Sequence, residues 1–309
     1  MRVLISGANG FIGKNLANYL IQKGDQVIAV SRNPVHSNEL SWDQLFSNQK
    51  NTGAEAFIHL AGKAHDLKNT SEPDEYFRVN ADLTERFFDL FLQSKARIFI
   101  YMSSVKAVAD TVNDELYEDI VPEPKTPYGQ SKQKAEQYIL SKEAGTGKRV
   151  FILRPCMVHG PGNKGNLNLL YKFVLKGIPY PLAAFENKRS FLSISNLEYI
   201  IDQLICRDIP GGIYNMADDE SLSTNKVIRI IGKAIGKRSK LWKVSPVLIR
   251  TMARIGDIVH LPLNSERLKK LTESYVVSNR KIKKALGVIH LPVSSADGLY
   301  ATIRSFNSQ

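Results

Sequence analysis

Apolar and polar positions along the first half of the chain follow two periods in turn. Short apolar runs predict strands, which are Arg2–Ser6, QVIAV, AFIHLA, ARIFIYMSS and RVFILRP. Apolar residues at helical spacing predict helices over residues 11–23, 76–94 and from Thr126, where Pro127 suits the first helical position. Strands alternating with helices are typical of a parallel sheet covered on both faces. We therefore expect an α/β fold, a Rossmann-type doubly wound parallel sheet.

The regular alternation ends at Pro155. We expect a dinucleotide-binding domain over residues 1–155 and a smaller, mixed substrate-binding region over 156–309, with about 211–217 (GGIYNMA) returning one strand to the main sheet. The most apolar late stretch, VSPVLIRTMARIGDIVHLP, is interrupted by Arg250, Arg254 and Asp257 at helical spacing. It predicts an amphipathic helix packed on a core, and it is too short and too charged for a membrane span.

The 309 residues carry a net charge of +12, which suits an anionic ligand, a membrane surface or nucleic acid. In the densest basic cluster, RIIGKAIGKRSKLWK, most Lys and Arg fall off the apolar stripe, which favours a solvated basic face. We therefore expect neither a nucleic-acid partner nor membrane insertion. Cys156 and Cys206 lie far apart without metal-ligand spacing. They predict free thiols in a cytoplasmic protein and no metal site, and we see no signal peptide before the first strand.

Three glycines follow the first strand, Gly7, Gly10 and Gly13, with the spacing G-x-x-G-x-x-G rather than G-x-G-x-x-G. A strand before them and a helix after them place backbone N–H groups and the positive end of the helix where a pyrophosphate can bind. Gly7 suits a tight turn, Gly10 allows close approach of the phosphate, and Gly13 allows close packing of the helix. The loop predicts a dinucleotide site.

The end of the second strand bears on the choice of dinucleotide. An acidic residue there would bind the 2′-hydroxyl of NAD, whereas an Arg accommodates the 2′-phosphate of NADP. The chain has Ser31 and Arg32 and no carboxylate at this tip. This favours NADP; NAD stays possible if Arg32 only caps the loop or faces solvent.

Candidate acid/base chemistry lies around Tyr128 and Lys132, four residues apart and therefore on one helix face. Tyrosine titrates near pH 10, and a nearby ammonium lowers that pKa. Such a pair can take a proton from an alcohol or return one to a ketone. Ser103 and Ser104 end the strand ARIFIYMSS at the carboxyl edge of the predicted sheet, where ligands bind. A serine hydroxyl there can hydrogen-bond the reacting oxygen.

A family resemblance joins these features. In chain order, the motifs GANGFIG, HLAG, VNADLT, MSS, PYGQSK, LRP, NKRSFLSISNL and SNRKIKKALG resemble an extended short-chain dehydrogenase/reductase. More narrowly, they are similar to the NAD-dependent epimerase/dehydratase family, which acts on nucleotide sugars. The resemblance spans nearly the whole chain. Its motifs are specific for the family and less so for the reaction.

The resemblance implies a role for individual residues. Tyr128 is the acid/base, Lys132 holds the cofactor ribose and tunes Tyr128, and Ser104 orients the substrate, with Ser103 as the alternative. Asn166 and Arg189 contact the nucleotide diphosphate, unless they are a helix N-cap and a surface ion pair. The implied cofactor-binding residues are Gly7, Asn9, Gly10, Phe11, Ile12, Gly13, Ser31, Arg32, Leu60, Ala61, Gly62, Asn80, Tyr128, Lys132 and Pro155.

The chain also departs from the family pattern. Val105 and Lys106 follow Ser104 where the family's dehydratases have an Asp-Glu pair, which argues against dehydration. His159 in MVHGPG replaces a frequent Tyr and is either catalytic or a loop-packing substitution. Lys63 and His65 either line the substrate cleft or lie on a solvated loop.

The implied activity is that of an NADP-linked 4-reductase acting on a UDP-4-keto-6-deoxy-N-acetylhexosamine, in the synthesis of surface-polysaccharide sugars. The alternative is a UDP-glucose or UDP-N-acetylglucosamine 4-epimerase that keeps NAD bound. By resemblance we also expect a homodimer. A hypothesis from another class is a non-catalytic NADP-binding regulator or an RNA-binding relative. Ser104, Tyr128 and Lys132 argue against it, because such a protein does not need an acid/base pair.

Overall fold

The computed structural model describes residues 1–47, 52–63, 72–163, 165–259 and 264–306, and only the backbone of Asn166. Its centre is a parallel seven-stranded sheet in the order β10-β7-β5-β4-β1-β2-β3. The strands are β1 (Arg2–Ser6), β2 (Gln26–Ser31), β3 (Glu39–Ser41), β4 (Ala56–His59), β5 (Ile98–Met102), β7 (Arg149–Pro155) and β10 (Gly212–Met216). The predicted doubly wound parallel sheet is confirmed.

Helices cover both faces of the sheet. Successive side chains of a buried strand point to opposite faces, so each strand packs against helices on both sides. On one face, Val3 and Ile5 of β1 pack with α1 (Phe11–Gln22) and α7 (Ile194–Cys206). On the other face, Leu4 packs with a phenylalanine-rich core from α4 (Leu83–Gln93) and with α5 (Pro127–Leu140). The strand order reverses between β1 and β4, and ligands of such sheets bind in the crevice at that point.

The helix predicted over residues 76–94 consists of three segments. A short helix, α3 (Pro73–Phe77), runs into a π-helical turn (Arg78–Asp82) and then into α4. The π turn contains Asn80, which is fully buried. Wider turns of this kind recur at functional sites. The structure also has β3 and α2 (Trp42–Ser47) in a stretch where the sequence pattern predicted no element.

The second half of the chain adds a separate core and two small parallel sheets, β6 (Glu115–Leu116) with β11 (Val276–Val277) and β8 (Met157–His159) with β9 (Phe191–Ser193). Its other helices are α6 (Asn166–Leu175), α8 (Thr224–Ala234), α9 (Pro246–Val259), α10 (Ser265–Thr272), α11 (Arg280–Leu286) and α12 (Ser295–Phe306). The strand β10 lies beside β7 in the main sheet. The division into two domains stays a prediction.

The amphipathic helix predicted late in the chain is α9. It packs on the core of the second half, as expected, through Ile249 and Ala253, and its third buried residue is Gly256. Its other apolar side chains are exposed. Within the described ranges, no helix combines the length and the apolar character needed to cross a membrane.

Candidate active site

The glycine loop brings three backbone segments close together. Gly7 has φ 72°, a left-handed conformation that favours glycine, and a Cβ there would lie 2.6 Å from the Ala61 nitrogen. A Cβ on Gly13 would overlap the carbonyl oxygen of Gly7, so Gly13 allows α1 to approach the loop itself. Gly10 is the N-cap of α1 and has no side chain with which to cap it. The first-turn N–H groups are therefore available to an anion.

A cavity of about 830 Å³ extends from this loop across the crevice between β1 and β4, a size suited to a dinucleotide. The predicted cofactor residues that line it are Gly7, Asn9, Gly10, Ser31, Arg32, Leu60, Ala61 and Gly62. Sequence reasoning missed further lining residues, namely Asn33, Trp42, Arg78, Val79 and Arg86. Val79 belongs to the motif VNADLT, whereas the other four come from segments with no motif, and only folding brings all five to the crevice.

Phe11, Ile12 and Pro155 have other surroundings. The Phe11 ring lies against the loop after β8, where a Cβ on Gly160 would be 3.5 Å from it. Ile12 packs against the core beneath the sheet. Pro155 is buried at the carboxyl end of β7, paired with Met216. Among the described residues that line the cavity, none of these three is present.

The tip of β2 faces a carboxylate that the sequence pattern did not reveal. Glu39, on β3, accepts hydrogen bonds from the Val35 nitrogen at 2.9 Å and from the Ser31 hydroxyl at 3.4 Å. The expectation of no carboxylate at this tip is therefore wrong, because β3 was not predicted. Arg32 is exposed at the same end of the cavity. Arg86 lies there too, with its guanidinium carbon 4.1 Å from the ring centroid of Phe46. This end of the cavity therefore carries the positive charges of Arg32 and Arg86, and the carboxylate of Glu39 is already hydrogen-bonded.

Asn80 links the loop after β4 to α5. Its Oδ1 accepts from the Lys63 nitrogen at 2.7 Å, and its Nδ2 donates to the Lys63 carbonyl at 3.1 Å and to the Ser131 hydroxyl at 3.0 Å. A Cβ on Gly62 would be 3.0 Å from Asn80 Oδ1 and 3.2 Å from Lys132 Nζ. The π turn thus fixes the loop that lines the cavity against the helix that carries Tyr128.

A buried histidine, His59, connects the end of β1 with the segment that follows the π turn. His59 Nδ1 lies 2.6 Å from the Ser6 hydroxyl, and its Nε2 lies 2.9 Å from the Thr84 hydroxyl. Ser6 Oγ also accepts from the Ala61 nitrogen at 3.2 Å, and Thr84 donates to the Asn80 carbonyl at 2.7 Å. Burial, with a further contribution from Lys132, lowers the pKa of His59 to about 3. A neutral imidazole therefore joins the end of β1 to the π turn.

Tyr128 begins α5 beside Ser104. Thr126 caps the helix by accepting from the Gly129 nitrogen at 3.2 Å, and a Cβ on Gly129 would overlap the Lys106 carbonyl oxygen. This close packing sets the first turn of α5 against the end of β5, where Ser104 hydrogen-bonds Tyr128. Burial raises the pKa of Tyr128, and the hydrogen bond with Ser104 only partly opposes that rise.

The sequence predicted that Lys132 lowers the pKa of Tyr128. Without a bound cofactor this prediction is wrong, because burial raises that pKa. Lys132 Nζ donates to the Met102 carbonyl at 2.8 Å. Burial lowers the pKa of Lys132 to about 8, against the opposing effect of Glu136. Tyr128 keeps its proton at neutral pH, and Lys132 has its ammonium directed to the backbone of β5.

The two candidate serines have different partners. Ser103 donates to Glu136, whose carboxylate is paired with Arg154 at 2.6 Å and is almost fully buried. Ser104 hydrogen-bonds Tyr128 and also accepts from the Lys106 nitrogen at 3.2 Å. The geometry therefore favours Ser104 as the hydroxyl that faces a substrate, and it gives Ser103 a structural partner.

Two cationic side chains lie close to the same edge, Lys106 after β5 and Arg189 from the second half of the chain. Lys106 Nζ donates to the Asp110 carbonyl at 2.7 Å and lies 4.3 Å from the ring centroid of Tyr275. Arg189 donates to the Glu273 carbonyl at 3.3 Å and to the Lys270 carbonyl. Burial lowers the pKa of both Lys106 and Arg189. Arg189 is thus held mainly by backbone carbonyls, and the Glu273 carboxylate is 3.9 Å away.

Three further candidate residues are Asn166, His65 and Lys63. The N-cap of α6 is Gly165, so the N-cap alternative for Asn166 is wrong, and the Asn166 side chain lies outside the described residues. His65 also lies outside them. Lys63 lines the cavity that starts at the glycine loop and pairs with Glu75 at 2.6 Å, and its place in a substrate cleft stays a prediction.

His159 is fully buried away from Tyr128. Its Nδ1 lies 2.9 Å from the Thr302 hydroxyl, its Nε2 lies 3.7 Å from Asp218, and its ring packs edge-on against Phe191. These contacts favour the loop-packing alternative over a catalytic histidine.

Comparison with known proteins agrees with this geometry. The model of the NAD dependent epimerase/dehydratase family matches residues 3–220. UDP-glucose 4-epimerase of Vibrio cholerae is 28% identical over 320 residues, covering 98% of this chain and 95% of that protein. GDP-6-deoxy-D-mannose reductase of Pseudomonas aeruginosa is 24% identical over 245 residues, covering 74% and 79%. The solved structure of MoeE5 in complex with UDP-glucuronic acid and NAD has the same fold, with a TM-score of 0.76, 24% identity and coverage of 100% and 99%.

Proposed function

Because the chain belongs to the NAD dependent epimerase/dehydratase family and is an enzyme of the extended short-chain dehydrogenase/reductase kind, we propose that it changes the oxidation state at C4 of a nucleotide-linked hexose. The proposed reaction is the NADPH-dependent reduction of a UDP-4-keto-6-deoxy-N-acetylhexosamine. The hydrogen-bonded pair of Ser104 and Tyr128, next to Lys132 and the glycine-loop cavity, carries this proposal.

Tyr128 is suited to donate a proton to a ketone oxygen. Its raised pKa keeps the hydroxyl protonated at neutral pH, which is the form that a reduction needs. Ser104 donates a second hydrogen bond to the same oxygen and holds it beside Tyr128. A bound nicotinamide cofactor supplies the hydride that reaches C4. The ketone thus gains a hydride and a proton and becomes an alcohol, and Tyr128 regains its proton from solvent.

The cavity residues fit a dinucleotide phosphate. The N–H groups near Gly10 would hold the pyrophosphate, and Lys132 would hold a ribose of the dinucleotide. Arg32, with Arg78 and Arg86 lining the same cavity, provides the positive charge for a 2′-phosphate. Glu39 is already hydrogen-bonded to the Val35 nitrogen and to Ser31, so its carboxylate is turned toward the protein backbone. This arrangement supports NADP over NAD.

We assign the substrate diphosphate to the edge that holds Arg189 and Lys106. Burial makes the charged forms of both side chains costly, and a bound anion relieves that cost. Lys106 also stands where a dehydratase needs an acidic residue. Its ammonium, held against Tyr275, has no proton-accepting capacity, which supports reduction over dehydration.

A second candidate is a 4-epimerase with tightly bound NAD. It is favoured by the similarity to UDP-glucose 4-epimerase of Vibrio cholerae over almost the full length of both chains. In that reaction Tyr128 would accept the proton of the C4 hydroxyl while the bound NAD would take the hydride from C4. After the keto sugar turns over, the hydride would return to the opposite face of C4, and Tyr128 would return the proton to the C4 oxygen. The positive charge of a bound oxidised nicotinamide lowers the pKa of Tyr128 toward the value that this step needs.

One experiment separates the candidates. The purified protein is denatured and its supernatant assayed for released dinucleotide, and the native protein is mixed with NADPH and a UDP-4-keto-6-deoxy-N-acetylhexosamine. The reductase predicts that NADPH is consumed in equal amount with the keto sugar. Retained NAD with interconversion of 4-epimeric UDP-sugars, and no net NADPH consumption, would support the epimerase. Dinucleotide binding with no reaction on either substrate class would instead support the non-catalytic alternative.

A further inference from the structure

Helix α9 has an apolar face that the described part of the chain leaves exposed. Its buried stripe is narrow and consists of Ile249, Ala253 and Gly256. At about 100° per residue, the exposed apolar residues fall on one side of the helix, opposite that stripe. They are Val247, Leu248, Met252, Ile255, Ile258 and Val259, between 49% and 77% exposed. Such a continuous apolar face indicates an interaction site.

Basic residues flank this face on one side. Arg250 and Arg254 are exposed and lie on α9 between the buried stripe and the apolar face, and neither pairs with a carboxylate within the described ranges. The sequence from 237 to 272 contains nine Lys and Arg against two acidic residues. Both acidic residues are engaged, because Asp257 accepts from Ser265 at 2.6 Å and Glu266 pairs with Lys270 at 2.6 Å. The surroundings of the face are therefore strongly cationic.

We propose that α9 docks this protein on the surface of an anionic lipid membrane. An apolar helix face bordered by Arg and Lys is the pattern of helices that lie in the plane of a bilayer interface, where apolar side chains enter the headgroup region and cations contact anionic lipids. With 14 residues, α9 is about 21 Å long and lies on the membrane without crossing it.

The charge distribution favours this occupant over the alternatives. A second copy placed on the same face would bring two strongly basic segments together, and like charges at an interface oppose association. Nucleic acid would match the charge but not the aliphatic side chains. An anionic bilayer satisfies both properties at once. The docking is independent of the proposed reaction, because α9 contributes none of the residues assigned to cofactor or substrate.

The test is cosedimentation of the full chain with vesicles of phosphatidylcholine plus phosphatidylglycerol, and with vesicles of phosphatidylcholine alone. The variant L248Q/I258Q removes two apolar side chains from the face, 53% and 77% exposed. The matched control I21Q/I289Q removes two side chains that are 51% and 80% exposed elsewhere. Circular dichroism and NADPH binding serve as folding controls for both variants.

We expect wild type and I21Q/I289Q to sediment with the anionic vesicles, less at high salt, and not with pure phosphatidylcholine. L248Q/I258Q should bind at least about tenfold more weakly while remaining folded. Failure of the wild type to bind anionic vesicles would overturn the proposal. Equal binding by L248Q/I258Q would do so as well. A loss of oligomeric mass by light scattering in L248Q/I258Q, without vesicle binding by the wild type, would instead assign the face to a second copy.

Discussion

Ser104 hydrogen-bonds Tyr128 at the carboxyl end of β5, although 23 other residues separate them in the chain. At this position the Tyr128 hydroxyl keeps its proton because burial opposes the phenolate form. The proton-transfer role that we propose for Tyr128 rests on this pair.

The substitution Tyr128→Phe removes the hydroxyl and keeps the ring. We expect the rate of sugar reduction or epimerisation to fall about 10²- to 10⁴-fold, because no other group replaces the proton donor. Binding of NADPH, measured by fluorescence titration, should be nearly unchanged. Turnover at the wild-type rate in this variant would contradict the role assigned to Tyr128.

Replacing each serine by alanine separates the two candidate hydroxyls. Ser104→Ala removes the partner of Tyr128, and we expect kcat to fall about tenfold to a hundredfold with little change in stability. Ser103→Ala removes a donor to the buried Glu136 carboxylate, and we expect lower stability with a smaller change in kcat. Steady-state kinetics and urea denaturation of both variants check this. The reverse pattern would make Ser103 the substrate-facing residue.

Arg32→Ala tests the choice of cofactor. A charge-assisted hydrogen bond to a 2′-phosphate contributes about 1.5–3 kcal/mol, so the Kd for NADPH should rise about tenfold to a hundredfold. The Kd for NADH, which lacks that phosphate, should stay within about twofold of the wild-type value. Exposed Arg207, at the far end of α7, provides a charge-matched control as Arg207→Ala. Equal weakening of NADH and NADPH by Arg32→Ala would count against NADP.

At the scale of secondary-structure elements, buried polar pairs hold the site together. Glu136 on α5 pairs with Arg154 on β7 at 2.6 Å and accepts from Ser103 after β5. Asn80 in the π turn likewise fixes the loop after β4, through hydrogen bonds with the Lys63 backbone. Strands β5 and β7 and helix α5 are thereby fixed relative to one another, which positions the first turn of α5 against Ser104.

Breaking this pair from one side should be costly. Arg154→Met leaves the Glu136 carboxylate buried without its cation, and we expect the free energy of unfolding to fall by about 3–5 kcal/mol. The double variant Glu136→Gln/Arg154→Met removes both charges and should recover part of that loss. Urea denaturation of the single and double variants measures the coupling. Additive losses in the double variant would show that the two charges do not act as a pair.

At the scale of the whole molecule, Lys132 is enclosed by segments from distant parts of the chain. Met102 at the end of β5, the Gly62 loop and the neutral His59 network surround it, and burial lowers its pKa to about 8. An anionic cofactor binds the ammonium form better, so its binding raises the pKa of Lys132. The affinity for NADPH should therefore be constant below about pH 8 and fall above it, by at most about tenfold per pH unit.

Fluorescence titration of NADPH from about pH 6 to about pH 10 measures this dependence. Lys132→Met should abolish the decrease above pH 8 while lowering affinity at every pH. Lys134→Met is the matched control, because Lys134 lies on the same helix with an exposed side chain. A wild-type affinity that stays constant up to pH 10 would contradict the assignment.

Local patterns in the sequence were enough to predict the fold class and the family, and both predictions are confirmed. Strand and helix periods depend on neighbouring residues, and so does the spacing of Gly7, Gly10 and Gly13. The placement of Tyr128 and Lys132 on one face of α5 follows from the same local geometry. These features could be recognised because each is encoded within one short segment.

Other features depend on residues that meet only after folding. The Glu39 carboxylate reaches Ser31 through pairing of β2 and β3, and Ser103 is distinguished from Ser104 by its contact with Glu136. The direction of the Tyr128 pKa shift follows from burial, and so does the exposure of the apolar face of α9. Burial and long-range pairing are properties of the packed chain, because a residue's solvent exposure and its distant partners are set by the elements that surround it.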